Sequence, residues 1–137
     1  MISVLLTDQV ISLSNFISQV ETVQAGAVAT FSGNVRIHDN GKDVAKLTYE
    51  IHPTTEEILS EVVHEVASRH SVLGVAVAHR FGEIALGDSA LIVAVSAEHR
   101  RDAFGACAEM VDEIKARIPI WKHQVFTDGS DEWVNCA

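Results

Sequence analysis

The feature that most constrains the fold is a nearly unbroken apolar run at residues 90–95, with the sequence Ala-Leu-Ile-Val-Ala-Val. Such a run predicts a β-strand that is buried on both faces of a sheet. Around it, strands and helices are predicted in a mixed order, with adjacent strand pairs between helices, and this order favours an α+β fold over a strictly alternating one. The predicted strands cover residues 2–6, 26–35, 44–51, 73–79, 90–95, 120–126 and 132–134, and the predicted helices cover residues 9–20, 53–70 and 98–117.

Helical periodicity predicts which residues of the first and third helices face the core. Asp8 is a suitable N-cap for the first helix, and Pro119 ends the third. In the first helix the apolar face consists of Val10, Leu13, Phe16, Ile17 and Val20. In the third helix the expected core residues are Phe104, Cys107, Ala108, Val111 and Ile114. The segment 80–88, which contains two glycines, is expected to be a turn-rich connection.

Length and composition narrow the function classes. The 137 residues suit a single domain, residues 1–137, and no apolar run approaches the roughly 20 residues that span a bilayer. The first eight residues lack the basic segment of a signal peptide, so we expect a cytoplasmic protein. The net charge of −9 argues against binding to nucleic acid or anionic membranes.

Nothing in the sequence indicates a metal site or a disulfide framework. The two cysteines, Cys107 and Cys136, are isolated from one another, and the seven histidines do not follow metal-ligand spacing. His64 and His70 are expected on a helix surface, and His79 is expected to be structural. His38 and His123 flank the basic features described next and could be structural or functional. We therefore expect neither a metal nor a cofactor.

Basic residues concentrate in one short segment of this acidic chain. Half of the ten lysines and arginines lie there, namely Arg100, Arg101, Lys115, Arg117 and Lys122. A local basic cluster in an acidic protein indicates a specific anion site. His99 and Arg100 lie where the third helix begins, and cations there oppose the helix dipole, so they could hold a phosphate together with free backbone N–H groups. The alternative is that they are solvated charges paired with neighbouring carboxylates.

Three further residues could carry chemistry, each with a structural alternative. Lys115 is predicted in the last turn of its helix, where a cation is favourable in any case. Lys122 follows the stiff segment 119–121 and could serve as acid, base or nucleophile. Arg36 is predicted at the end of a strand, where it is either a surface residue or an oxyanion clamp.

The arrangement of these residues resembles a known family. The pattern His99-Arg100-x-x-Ala103-Phe104, Cys107, and Asp112-x-x-Lys115-x-x-x-Pro119-x-Trp121-Lys122 is similar to the large, catalytic subunit of molybdopterin synthase. Further blocks agree in order and spacing, and they are Gly26-Ala27 with Phe31-x-Gly33-x-Val35-Arg36, Leu47-x-x-Glu50, His79-Arg80-x-Gly82 with Gly87-Asp88, and Trp133-Val134. The similarity covers roughly residues 26–134.

The resemblance implies a fold and a reaction. Members of this family have an α/β hammerhead fold. They convert a cyclic pyranopterin monophosphate, precursor Z, into molybdopterin by adding two sulfur atoms as a dithiolene. The sulfur arrives as a thiocarboxylate on the C-terminal Gly-Gly tail of a small ubiquitin-like subunit, and the large subunits form a homodimer within a heterotetramer.

The resemblance also implies roles for individual residues. Lys115 and Lys122 would be the catalytic lysines beside the thiocarboxylate. Arg36, His99 and Arg100 would bind the phosphate and pterin of the substrate, and Phe31 would line the pocket. The sequence departs from the family pattern at His52, Thr55, Val111 and Gln124, the last of which replaces a common Glu; these departures do not affect the two lysines.

Helix geometry adds a hypothesis about assembly. Arg100 and Lys115 are 15 residues apart, which corresponds to about 22 Å along one helix. They cannot both contact one small substrate from the same chain, so a shared site would be built across a dimer. Two alternatives to the enzyme are a non-catalytic module that binds a ubiquitin-like tail, and a sensor of a phosphate ligand that uses Arg36, His99 and Arg100.

Overall fold

The computed structural model describes residues 1–135, and Cys136 lies outside them. The elements, in chain order, are β1 (Ile2–Thr7), α1 (Leu13–Val20), β2 (Ala27–Asn34), β3 (His38–Asp39), β4 (Lys42–Ile51), α2 (Thr55–Ala67), β5 (Gly74–Arg80), β6 (Gly82–Ile84), β7 (Ser89–Ala97), α3 (Arg100–Arg117), β8 (Ile120–Phe126) and β9 (Asp131–Asn135). The structure is α+β with three helices and both parallel and antiparallel strand pairs, as the sequence predicted.

The first sheet has the strand order β1-β5-β7-β2 and helices on both faces. Side chains of β5 and β7 alternate between the faces. Val77 and Val93 belong to the larger core beneath α2 and α3, whereas Ala78 and Ile92 pack with α1. The strand predicted at residues 90–95 is therefore buried on both faces. Because β2 forms an edge of this sheet, one side of its backbone has no neighbouring strand in it.

The second sheet is antiparallel and is organised around β4. β8 pairs with β4 and carries β9 on its far side, while the short strands β3 and β6 also pair with β4. The connection expected at residues 80–88 thus contains a strand, β6. β3 and β4 form a tight hairpin in which Asn40 and Gly41 both have positive φ, 53° and 74°. An Asn-Gly pair is the preferred sequence for such a turn.

All three helices begin later than their sequence patterns predicted, and α2, predicted over residues 53–70, spans only Thr55–Ala67. α1 begins at Leu13, because the backbone N–H of Gln9 donates to the Thr7 hydroxyl in a local turn, and Ser12 is extended. Val10, predicted on the core face, is therefore 73% exposed. α3 begins at Arg100, with His99 in an extended N-cap conformation.

Two predicted core residues of α3 lie on the surface. Phe104 is 66% exposed, and Ala108 is also exposed. The buried stripe runs instead through Ala103, Ala106, Cys107, Met110, Val111 and Ile114. Phe104 misses this stripe because it is rotated by about 100° from Ala103 around the helix.

Within residues 1–135, no helix is long and apolar enough to cross a membrane. The same residues contain no group of three or more His, Cys, Asp or Glu side chains placed to hold a metal ion. Cys107 is a free, buried thiol, and burial raises its pKa to about 11.

Candidate active site

A cavity of about 170 Å³ contains three of the predicted site residues. Its wall includes Arg36, Lys115 and Lys122, which come from the segment after β2, the last turn of α3 and the strand β8. Other polar and aromatic side chains in the wall are His38, Asp39, Tyr49, His79 and Gln124. Arg36 precedes Lys115 by 79 residues, and the fold brings it to the same cavity as the two lysines.

The positions of the two lysines follow from the buried residues around them. Ile114 and Ile118 are buried and anchor the end of α3 on either side of Lys115. Ile120 and Gln124 are buried on β8, and Lys122 lies between them on the same face of the strand. Its side chain is 21% exposed, so it lies mostly within the protein.

Arg36 lies at the edge of the cavity, with 78% of its side chain exposed. The residue before it is fixed, because the Val35 N–H donates to the Asp88 carbonyl at 3.0 Å and the Val35 carbonyl accepts from the Gly87 N–H at 2.7 Å. The guanidinium is thus exposed on a held backbone, which suits contact with an anion entering from solvent.

One carboxylate is placed among these cations. Oδ1 of Asp39 is 3.5 Å from the Arg36 guanidinium, and Oδ2 is 3.9 Å from Nζ of Lys122. The side-chain amide of Gln124 donates to Oδ2 at 2.6 Å. Three cations and one carboxylate line the cavity, so within the described chain its wall carries an excess of positive charge.

His79 forms a neutral part of the wall. Its ring is 1% exposed, and Nδ1–H donates to the Arg80 carbonyl at 2.8 Å. Burial, helped by the positive charge of Lys115 and opposed by the hydrogen bond to the Arg80 carbonyl, lowers its pKa to about 4. The ring packs edge-on against Tyr49, with 5.4 Å between the ring centroids. At neutral pH this imidazole is therefore uncharged.

The predicted phosphate-binding residues at the start of α3 lie elsewhere. His99 lines a separate depression with Glu98 and Asp102, and neither His99 nor Arg100 belongs to the wall of the lysine cavity. Within one chain, the residues at the start of α3 are thus separated from Lys115 at its end, as the length of the helix predicted.

Phe31 also lies outside the lysine cavity. It lines a groove between β2 and α3, together with Phe104 and Cys107. Its ring is nevertheless next to the cavity wall, because a Cβ built on Gly33 would be 3.0 Å from the Phe31 ring.

The basic cluster seen in the sequence does not form one site. Arg117 pairs with Glu65 of α2 and, at 3.8 Å, with Glu113. Arg69, which follows α2, pairs with Glu65 at 3.5 Å and with Glu109 at 2.5 Å. Arg117 therefore belongs to an ion-pair network between α2 and α3.

Several residues of the cavity were not singled out from the sequence as site residues. Leu47 and Tyr49 are two residues apart on β4, as Lys122 and Gln124 are on β8. The two strands pair with Tyr49 opposite Lys122. That period of two was visible in the sequence, but the pairing register was not. His79, expected to be structural, lies in the wall because β5 ends there.

Comparison with known proteins identifies the family. The model of the family described as "MoaE protein" matches residues 6–117. The chain belongs to this family. A relative from Arabidopsis thaliana named "Molybdopterin synthase catalytic subunit" is 40% identical over 120 residues, which are 87% of this chain and 61% of the relative. The chain thus spans about three fifths of the length of this plant relative.

A relative and a solved structure match along almost their whole length. The protein of the same name from Thermoplasma volcanium is 34% identical over 129 residues, 93% of this chain and 94% of the relative. The crystal structure of molybdopterin synthase from Staphylococcus aureus aligns with a TM-score of 0.86 at 28% identity and covers 95% of each chain.

Proposed function

We propose that this chain is the catalytic subunit of a molybdopterin synthase. It would transfer sulfur from the C-terminal thiocarboxylate of a small ubiquitin-like subunit to precursor Z, forming the dithiolene of molybdopterin. Membership of the family and relatives that carry this name support the assignment. The cytoplasmic location expected from the sequence remains a prediction.

The observation that carries the proposal is the convergence of Arg36, Lys115 and Lys122 on one cavity. A thiocarboxylate and a phosphate monoester are both anions, and charge-assisted hydrogen bonds from lysine and arginine are the strongest that a protein offers them. The cavity is small, so it suits the end of an extended tail and the reacting part of a pterin.

The two lysines would share the chemistry. We assign to Lys115 the stabilisation of the acyl group of the tail, through its charge or through a transient amide bond that forms as the acyl C–S bond breaks and leaves the sulfur on the pterin. Lys122 would act as acid or base, and the two roles are interchangeable. His79, neutral and fixed by its bond to Arg80, would keep the wall beside Lys115 free of a further positive charge.

The first turn of α3 would serve the site of a second copy. Arg100 and Lys115 lie at opposite ends of one helix, and His99 lines a different depression from the lysines. We therefore place His99 and Arg100 of one protomer beside the lysines of its partner. The exposed Phe104 and the groove of about 290 Å³ next to it support a contact surface on this side of α3.

The deciding experiment is turnover of precursor Z with a thiocarboxylated small subunit. Wild-type protein should form molybdopterin, and Lys115→Ala should lose activity by about 100-fold or more while still binding the small subunit. Lys46→Ala is the matched control, because Lys46 lies on the neighbouring strand β4, is 56% exposed and pairs with Glu83 outside the cavity.

The same experiment separates the alternatives. Tail binding without turnover would identify a non-catalytic binding module. Binding of a phosphate ligand without any small subunit would identify a sensor. Full activity of Lys115→Ala would remove the lysine from the mechanism.

Mixing two inactive variants tests the shared site. Chains carrying Arg100→Ala and chains carrying Lys115→Ala should regain part of the activity when combined, because a mixed dimer contains one intact site. Absence of any recovery, with mixed dimers demonstrated by mass, would contradict the arrangement.

A further inference from the structure

We propose that Asp39 is a positioning residue of the lysine cavity, acting as an internal counter-ion that holds Arg36 and Lys122 in place for an anionic substrate. The proposal rests on the proposed function for its catalytic part. Its binding part stands on the cavity alone, since it concerns only how the wall receives an anion.

The carboxylate is held more firmly than the cations it faces. Its shortest contact is the hydrogen bond of 2.6 Å from the amide of Gln124, which is 3% exposed. That amide is itself oriented by a second hydrogen bond, at 3.1 Å, to Glu132 of β9. The position of Asp39 is thus set by two strands of the second sheet.

The backbone of Asp39 is equally constrained. It pairs with Lys42 at the end of the β3–β4 hairpin, directly before the Asn40–Gly41 turn. Both turn residues adopt the left-handed conformation that this two-residue hairpin requires. A residue at this point has little freedom to follow a substrate, so the Asp39 carboxylate is a fixed charge beside Arg36 and Lys122.

The distances to the cations are those of attraction without a tight bond. Arg36 and Lys122 lie 3.5 and 3.9 Å from the Asp39 oxygens, whereas charge-assisted hydrogen bonds measure about 2.7–2.9 Å. Their donors therefore remain available to an incoming anion. Asp39 offsets part of the repulsion between the two cations, because it lies within 3.9 Å of both.

A counter-ion role and a purely structural role predict different effects of removing Asp39 on anion binding and on catalysis. Removal of the negative charge should strengthen the binding of an anion, because a repulsive carboxylate disappears. It should also slow catalysis, because Lys122 is no longer held at one place. A residue needed only for folding would weaken both binding and catalysis and would lower stability.

The first test uses inorganic phosphate and calorimetry, and needs no small subunit. Asp39→Asn keeps the size of the side chain and should bind phosphate about three- to tenfold more tightly than wild type. Asp128→Asn is the matched control: Asp128 pairs at 3.5 Å with Lys42 of the same hairpin, is 53% exposed, and neither residue belongs to the cavity wall. Equal or weaker binding by Asp39→Asn would overturn the counter-ion role.

The second test measures turnover of precursor Z. In Asp39→Asn we expect kcat to fall about tenfold with KM unchanged or lower, with recovery towards wild type in Asp39→Glu. Adding Asp39→Asn to Lys122→Ala should lower kcat by less than it does in wild type, since part of the effect passes through Lys122. An unchanged kcat in Asp39→Asn, or full additivity, would overturn the positioning role. Absence of product with wild type would instead reject the proposed function and leave the phosphate result to decide the counter-ion role.

Discussion

The α2–α3 network and the lysine cavity differ in their ratio of cations to carboxylates. In the α2–α3 network, Arg69 and Arg117 face three glutamates, Glu65, Glu109 and Glu113, at distances that reach 3.8 Å at most. In the lysine cavity, three cations face one carboxylate among the described lining residues. The first cluster has more carboxylates than arginines, whereas the described lining of the second carries a net positive charge.

The pKa shifts reflect the balance in the network. Its hydrogen bonds to arginine lower the pKa values of Glu65 and Glu109 and raise those of Arg69 and Arg117. Such pairs fix the helices relative to each other and have no charge to offer a substrate. The comparison indicates that the density of basic residues along a sequence does not by itself locate the proposed anion site, since the ratio of cations to nearby carboxylates differs between the clusters.

Removing the cations of each cluster in turn is the strongest test of this comparison. The double variant Arg36→Ala/Lys122→Ala should lose about 100-fold or more of its activity and retain its melting temperature. Arg69→Ala/Arg117→Ala should do the opposite, with a melting temperature lower by a few degrees and activity within about twofold of wild type. A large loss of activity in the network variant would show that the clusters are coupled.

The free energy of unfolding of the protein should fall in acid, because His79 is buried in its neutral form. Its pKa is about 4 in the folded protein and near 6.5 when unfolded. Between these values the unfolded chain binds the proton and the folded chain does not, so stability is full above about pH 6.5 and falls as pH drops towards 4. The loss should be on the order of 3 kcal/mol. Denaturant unfolding at a series of pH values should show this slope in wild type and a reduced slope in His79→Gln.

The network should respond to acid in a lower window. The pKa values of Glu65 and Glu109 are lowered from 4.5, so their stabilising contribution is present above that value and is lost as pH falls below it. Glu109→Gln should therefore flatten the stability curve below about pH 4.5 and leave the slope due to His79 unchanged. If Glu109→Gln changed the stability curve only between pH 4 and 6.5, the acid response below pH 4.5 would not come from the α2–α3 network.

The smallest expected effect is a gain in stability next to the network. A Cβ added to Gly105, inside α3, would meet the His70 ring at an ordinary contact distance of 3.6 Å. Gly105→Ala should raise the free energy of unfolding by about 0.5–1 kcal/mol, because alanine favours the helix. Activity should not change, and thermal unfolding beside the turnover assay checks both statements. A loss of stability would show that the space beside His70 is needed.

Local patterns were sufficient to predict most elements of the fold. The strand at residues 90–95, the end of α3 before Pro119 and the order of the elements are set by burial and by backbone chemistry close in sequence. The starts of all three helices were predicted too early: Ser12 and His99 are extended, and before α1 the Thr7 hydroxyl accepts from the Gln9 N–H. Phe104 was placed in the core because its spacing to Cys107 and Ala108 is helical, whereas the face that is buried is centred on Ala103, Ala106 and Met110.

The site was only partly accessible from sequence. Arg36, Lys115 and Lys122 were selected from their contexts and from the family resemblance, and the structure brings these three together. Asp39 and Gln124 could not have been recognised as partners, because their contact depends on the hairpin and on the pairing of β8 with β4 and β9. Residues that act through others are set by tertiary geometry, which local patterns do not contain.

The 18 residues of α3 make the length of this helix a fixed quantity in the proposed dimer. Inserting or deleting one residue between Arg100 and Lys115 would shift the two ends by about 1.5 Å and rotate them by about 100° relative to each other. Each of the two sites would then lose either its lysine or its phosphate contacts. Related sequences should therefore vary in length at the turns and conserve the residue count of this one helix, which makes that count a simple criterion for recognising functional homologues.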